Sequence, residues 1–195
     1  MSRELPRSFY LRDDVVQVAR DLLGKVLLTR FNGKITSAII TETEAYAGVH
    51  DRASHAHGGR RTERTEVMYA RGGTAYVYLC YGIHHLFNVV CNAREIPHAV
   101  LVRAGVPVEG LEAMHERLVR PPGTLLKGPG VVAKALGIHV RHTGSDLLTG
   151  PIRIADRGIA IDPAKVLAGP RIGVDYAGDD ALLPYRFLVR PSDLR

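Results

Sequence analysis

VLLTRFNGKITSAIITETEAY, residues 26–46, reads as two strands around a tight turn. Asn32-Gly33 separates two apolar runs, and this pair readily takes the positive φ angles of a two-residue hairpin turn. The second strand runs on into Glu42, Glu44 and Tyr46. Residues two apart on a strand share a face, so both carboxylates and the ring stand on one surface. Strands disfavour Glu, so the pair has two readings. It is a solvated strand end, or it carries a carboxylate that works as general base or electrostatic stabiliser.

Before this hairpin, RDDVVQVARDLLGK (residues 12–25) predicts a helix. Asp13 or Asp14 caps it, Val15, Val18, Ala19 and Leu22 form its apolar stripe, and Gly24 ends it. After the hairpin, residues 47–73 read as a long loop rich in Gly, His and Arg; inside a compact domain such a loop is usually functional. TAYVYLCYGIHHLFNVVCN (74–92) is a second hairpin with Tyr81-Gly82 near its tip. AVLVRAGVPV (99–108) is a strand, EGLEAMHERLV (109–119) a helix, PPGTLLKGPG (121–130) a loop and VVAKALGI (131–138) a short helix. GPIRIAD, RIGVDY and YRFLVR read as short strands. Together they predict one α+β domain over residues 1–195, a mainly antiparallel sheet flanked by helices.

With 195 residues the chain is long enough to bury a sizeable core. No run approaches the apolar length of a membrane span, and the first 14 residues hold no signal-peptide core. The expected compartment is the cytoplasm, on the nucleoid in a bacterial cell. A net charge of +6 fits an anionic partner such as nucleic acid, or merely a basic surface. There is no Trp, so any stacking platform uses Tyr, Phe, His or Arg. Cys80 and Cys91 belong to the same hairpin without facing each other, and free thiols are expected.

Several groups carry chemistry or a plain structural role. His50, His55 and His57 are polar loop residues, zinc ligands with Asp51 or Glu44, or, for one of them, a contact to a planar ligand; they lack HExxH spacing and a cysteine pair. GGRRTERTEVMYARGG (58–73) carries Arg60, Arg61, Arg64 and Arg71 among glycines. It is a phosphate-binding loop without Walker character, or a solvated basic loop. Tyr76 and Tyr78 share a face of the rising strand, while Tyr81, Gly82 and Ile83 occupy the tip. An aromatic at a hairpin tip folds back onto the protein or wedges into a base stack. Asn88, inside the apolar run LFNVV, is a structural hydrogen-bonder or a reader of a ligand's edge. KGPGVVAKALGI (127–138) opens a helix with a Gly-Pro-Gly turn, a common feature that carries little weight.

Four blocks in order, TETEAYAGVHDRASHAHGGR, GGTAYVYLCYGIHHLFNV, VLVRAGVPVEGLEAM and RIGVDYAG, resemble the alkyladenine (3-methyladenine) DNA glycosylase family. The resemblance spans about Leu11 to Arg190. It implies an enzyme that removes alkylated or deaminated purines from double-stranded DNA by cutting the N-glycosidic bond. The fold expected is a curved, partly open, barrel-like sheet with a protruding β-hairpin. By this resemblance Glu44 activates water, Arg103 helps hold it, and the backbone carbonyl of Ile172 does likewise. Tyr46, His55 and Tyr78 wall the flipped base, Asn88 discriminates against guanine, and Tyr81 fills the gap in the duplex. DNA contacts are expected from Arg60, Arg61, Thr62 and Arg64, and from Gly82, Ile83 and His84. Ile83 and His84 stand where animal members have Met and Tyr, and Val49-His50 replaces a more acidic segment.

The physics of these residues fits that role. Base flipping is the general strategy of DNA glycosylases and costs about a few kcal/mol, less for a damaged base. Stacking recovers roughly 1–3 kcal/mol per base, and electron-rich rings favour a cationic methylated purine. No lysine lies between Lys34 and Lys127, and every site candidate except Ile172 falls in that gap. A lyase commonly uses an amine to form a Schiff base, so a monofunctional, water-using enzyme is expected. No cofactor, metal or membrane partner is expected, and a monomer suits a protein that scans DNA. The rivals are a non-catalytic nucleic-acid-binding module and a metal-dependent hydrolase built on the histidines.

Overall fold

A computed structural model describes residues 3–195. Within them the strands, in chain order, are β1 (Arg3–Glu4), β2 (Val26–Phe31), β3 (Lys34–Tyr46), β4 (Thr74–Cys80), β5 (His84–Cys91), β6 (His98–Glu109), β7 (Leu126–Lys127), β8 (Ile152–Asp156), β9 (Leu167–Gly169) and β10 (Arg186–Leu188). The helices are α1 (Arg7–Tyr10), α2 (Val15–Asp21), α3 (Leu111–Leu118) and α4 (Pro129–Leu136). The strands form one antiparallel sheet in the order β1-β8-β2-β3-β6-β5-β4. β10 joins the far half of β3, β9 joins β10, and β7 joins β6. The sheet curves into a half-barrel within a single α+β domain.

Both hairpins form where the turn residues predict them. Asn32 and Gly33 take φ of 51° and 74°, and Tyr81 and Gly82 take 50° and 72°. The Ile83 N–H donates to the Cys80 carbonyl, which closes the second turn. Such turns match the right-handed twist of the flanking strands. Asp14 caps α2 by accepting from the Gln17 N–H at 2.9 Å. Val15, Val18 and Ala19 of α2 and the following Leu22 are buried against the sheet. Full burial of one such valine or leucine stabilises by roughly 1.5–3 kcal/mol.

A break in the alternation of β3 creates the site. Ala38 and Ile40 face the main core, and so does Ala45. Strict alternation from Ile40 would send Glu42 and Glu44 into that core. Instead β3 has one extra residue, Thr41, between the pairs Ile40–Gly105 and Glu42–Ala104. The bulge shifts the phase by one, so the Thr43 hydroxyl donates to Ala19 of α2 while the glutamates face the other way. A second bulge leaves Arg103 of β6 unpaired between Glu42–Ala104 and Thr43–Val102. Its side chain is thereby aimed at both carboxylates.

The two faces of the sheet then divide the labour. Phe87, Val89, Val100, Val102 and Ala75 join α2, α3 and α4 in the main core. The opposite face carries Tyr76, Tyr78, Val90 and Ala99, covered by Ala56, Met68 and Tyr69 of the 47–73 loop. That loop is ordered by three short 3-10 turns, at Gly48–His50, His57–Gly59 and Glu66–Tyr69. Cys80 and Cys91 are free thiols, and Cys91 is buried.

Several details differ from the sequence reading. RIGVDY is not a strand: Gly173 takes a φ of 77°, and a 3-10 stretch begins at Asp175. Extended backbone cannot pass through that left-handed position. Leu126–Lys127 adds a short strand inside the supposed loop, and Leu167–Gly169 adds another ahead of the bend. The four-residue helix α1, which puts Tyr10 into the core, is too short to leave a periodic signal.

Candidate active site

Four strands line up their side chains across the second face. Glu44 pairs with Leu101, Leu101 with Asn88, and Asn88 with Tyr76. These residues form one row over β3, β6, β5 and β4. Above the row lies a cavity of about 360 Å³, walled by Tyr46, His55, Tyr76, Tyr78, Arg103 and Ile172, with Tyr81 at its edge. A purine fits a space of that size among planar side chains.

Glu44 lies beneath the cavity wall and is fully buried. Its Oε1 accepts from the Ile172 N–H at 2.7 Å, and its Oε2 from the Tyr46 hydroxyl at 2.9 Å and from Arg103 Nη1 at 3.3 Å. Burial pushes the carboxyl above its ordinary range, against the opposing pull of Arg103, the Ile172 N–H and the Tyr46 hydroxyl. Glu42 accepts from Arg103 Nε at 3.2 Å and Arg186 Nη1 at 3.1 Å. Two guanidiniums thus balance two carboxylates. The sequence resemblance gave Ile172 a role through its carbonyl; its N–H is the group that meets Glu44.

The aromatic walls interlock. His55 Nδ1 lies 2.8 Å from the Tyr76 hydroxyl, and its ring meets Tyr78 edge-on at 4.7 Å. Burial, with Arg64 and Arg60 nearby, lowers the His55 pKa to about 4, so its imidazole is neutral at neutral pH. Burial also raises the Tyr46, Tyr76 and Tyr78 hydroxyls. A guanidinium covers each of two rings, Arg171 over Tyr46 and Arg64 over Tyr78, both at 4.9 Å. Asn88 is buried, and its Nδ2 donates to the carbonyls of Tyr76 and Leu86 at 3.1 and 3.3 Å.

Of the residues expected to contact DNA, Arg64 and Tyr81 line this cavity and the others lie outside it. The Tyr81 side chain is 92% exposed and Ile83 71%, so neither folds back onto the protein. Gly82 and His84 are exposed beside them, with Ile83 and His84 on the far side of the hairpin from the cavity. Arg60 and Arg71 are exposed. Arg61 is engaged by Glu66 and Glu95 and lies over Tyr69, so its charge is largely answered within the protein. Thr62 closes a turn with Thr65. His50 and His57 are exposed and stand apart from the half-buried His55. Among the described residues, no group of three His, Cys, Asp or Glu is placed to hold a metal ion. Among the same residues, no helix is long and apolar enough to cross a membrane.

Sequence reasoning missed the support behind the wall. Arg171 and Asp51 form a buried bidentate pair at 2.5 and 2.8 Å, and Arg186 anchors Glu42. Asp51 was read only as a candidate zinc ligand in a histidine-rich loop, and Arg171 lay in a stretch read as a strand.

Comparison with known proteins gives a consistent result. The family model for methylpurine-DNA glycosylase matches residues 8–193. A protein of Myxococcus xanthus is 50% identical over 188 residues, covering 96% of this chain and 91% of its own. One from Chlamydia felis is 46% identical over 188 residues, covering 95% of both chains. One from Bacillus cereus is 42% identical over 200 residues, covering 96% of both. All three carry the provisional name 3-methyladenine DNA glycosylase.

Proposed function

The chain belongs to the methylpurine-DNA glycosylase family, enzymes of base-excision repair, and from that premise we propose that it hydrolyses the glycosidic bond of flipped-out damaged purines with a water activated by Glu44. The substrates are alkylated or deaminated purines in duplex DNA: 3-methyladenine, 7-methylguanine, hypoxanthine and ethenoadenine. The enzyme is monofunctional and leaves an intact abasic strand. It acts as a monomer, in the cytoplasm and on the nucleoid if the cell is bacterial.

The observation that carries this reading is a buried carboxylate, raised in basicity and held by three donors, directly beneath a purine-sized aromatic cavity. A non-catalytic DNA-binding module has no use for it, since an anion there only weakens phosphate binding.

The steps follow from the residues. The damaged purine leaves the duplex and enters between Tyr46, His55 and Tyr78, while Tyr81 takes its place in the stack. The bond from the sugar carbon to the purine nitrogen breaks, and its electron pair leaves with the base. A cationic methylated purine departs neutral without further help; a neutral purine needs a proton. The sugar becomes cationic, and the Glu44 carboxylate stabilises it. A water oxygen attacks the sugar carbon and gives its proton to Glu44.

A carboxylate has about four acceptor sites, and three are filled here. The fourth is left for the water, and of the three donors Arg103 at 3.3 Å is the most weakly held. The guanidiniums over Tyr46 and Tyr78 withdraw part of the ring charge that favours cations, which suits a pocket taking neutral purines as well.

Base release tests the reading. Duplexes with a single hypoxanthine or methylated purine are expected to yield free base and an alkali-labile, otherwise intact strand. Binding of such duplexes with no base released would replace the enzyme by a binding module.

A further inference from the structure

We propose that Arg171 and Asp51 are positioning residues for the hydrolysis, a buried pair that holds the Ile172 N–H on Glu44 and fixes the Tyr46 ring beside it. The inference rests on the reading of Glu44 as the water-activating group.

Three separate segments meet at this pair. Arg171 Nη1 donates to the carbonyl of Ala45, the residue between Glu44 and Tyr46, at 2.9 Å. Its Nη2 donates to the Asp180 carbonyl at 3.0 Å. Asp51 accepts both guanidinium nitrogens. It also accepts the backbone N–H groups of Ala47 at 2.9 Å and Ala53 at 3.0 Å, which fixes the turn leading to His55. The residue after Arg171 is Ile172, whose N–H bonds Glu44. The guanidinium also covers the Tyr46 ring. The strand bearing Glu44, the loop bearing His55 and the bend bearing Ile172 are thus tied at one point.

This pair is a poor choice for stability alone. Both side chains are buried, and Arg171 Nε has no partner. Desolvating two ions is costly as a general rule, so a buried ion pair is weak evidence for a purely stabilising role. The bend itself gives the reason for keeping it. Ile172 lies in irregular backbone before Gly173, with no ladder hydrogen bonds to hold its N–H in place. A side-chain clamp from the preceding residue supplies that hold.

A charge effect and a positioning effect can be separated. The groups facing Glu44 are Glu42 and Tyr46 on its own strand, Arg103 from β6, Tyr78 from β4, and the Ile172 N–H, Arg171 and Tyr176 from the bend. Arg186 acts on Glu42. If the pair acted by charge, Asp51→Asn would leave an extra cation and make Glu44 more acidic. Arg171→Met would leave an extra anion and make it less acidic. If the pair positions the N–H, both substitutions loosen that hydrogen bond and make Glu44 less acidic.

The experiment is single-turnover release of a methylated purine from duplex DNA across pH, with abasic-duplex binding as the check on folding. Such a base needs no general acid, so the acidic limb reports the water-activating group. Both variants are expected to move that limb upward, by about 1 pH unit for loss of one charge-assisted hydrogen bond. Opposite shifts, or none, overturn the proposal. Should Arg171→Met not fold, Arg171→Lys replaces it: the charge stays, the two-pronged contact is lost, and the same upward shift is expected. Variants that all fail to bind abasic DNA make the pair a folding element and also overturn the proposal. A wild-type protein that releases no base is a different result, and refutes the Glu44 reading itself.

Discussion

Replacing Tyr81 by glycine separates folding from function at one residue. Tyr81 takes a φ of 50° at the hairpin tip, and its side chain is 92% exposed. Left-handed backbone costs an ordinary residue roughly 1–2 kcal/mol, and glycine avoids that cost. Against this, glycine's freedom in the unfolded chain costs about 0.4–1 kcal/mol. The little ring surface that is covered contributes about 0.5 kcal/mol or less at ~25 cal/mol per Å². These terms nearly cancel, so Tyr81→Gly is expected to change stability by about 1 kcal/mol or less, a Tm shift within roughly 4 °C. Binding to DNA is different. If the ring stacks in the space vacated by the flipped base, its loss removes roughly 1–3 kcal/mol, or about 5- to 150-fold in affinity for an abasic duplex. Thermal melting and fluorescence anisotropy at one salt concentration read the two quantities. Unchanged affinity, or a loss of stability above about 2 kcal/mol, refutes the wedge, because the ring would then be either idle or structural.

Further outcomes follow from the same geometry. His55 has a folded pKa of about 4 against an ordinary 6.5, so as pH falls the unfolded chain takes up the proton first. The corresponding stability, on the order of 3 kcal/mol, is present above pH 6.5 and lost as pH falls toward 4. Urea unfolding at stepped pH should show this slope in the wild type and not in His55→Gln; equal slopes contradict the buried neutral imidazole. Glu44 runs the opposite way. Its folded pKa lies above its ordinary 4.5, so stability falls as pH rises through that range, and Glu44→Gln should lack the fall. With no lysine between Lys34 and Lys127, borohydride should trap no protein–DNA adduct during base release; an adduct would establish a lyase step.

Much of the candidate site was legible because its residues lie on strands, even though two bulges interrupt them. Glu44, Tyr46, Tyr78, Asn88 and Arg103 all sit on β3, β4, β5 and β6, whose alternation and turn signals are local. Placing Glu44 and Asn88 in one row with Leu101 and Tyr76 needed only the correct strand register. Which face Glu44 occupies was not legible, because it depends on the extra Thr41, and a bulge leaves no mark in a run such as IITETEAY. The bend at residues 171–174 was misread because RIGVDY alternates like a strand, and one left-handed glycine overrides the pattern. Arg171 and Asp51 were invisible as a pair, since 120 residues separate them and only the folded chain brings them together. Arg61 was legible as a cation; its engagement with Glu66 and Glu95 was not, because Glu95 comes from the turn between β5 and β6.

The central claim is that Glu44 performs the chemistry beneath a pocket that binds independently of it. Its most direct test compares base release and damaged-duplex binding for the wild type and Glu44→Gln. The account predicts release falling by about 10²-fold or more, with binding retained. Near-normal release by Glu44→Gln, with the pocket intact, would contradict it.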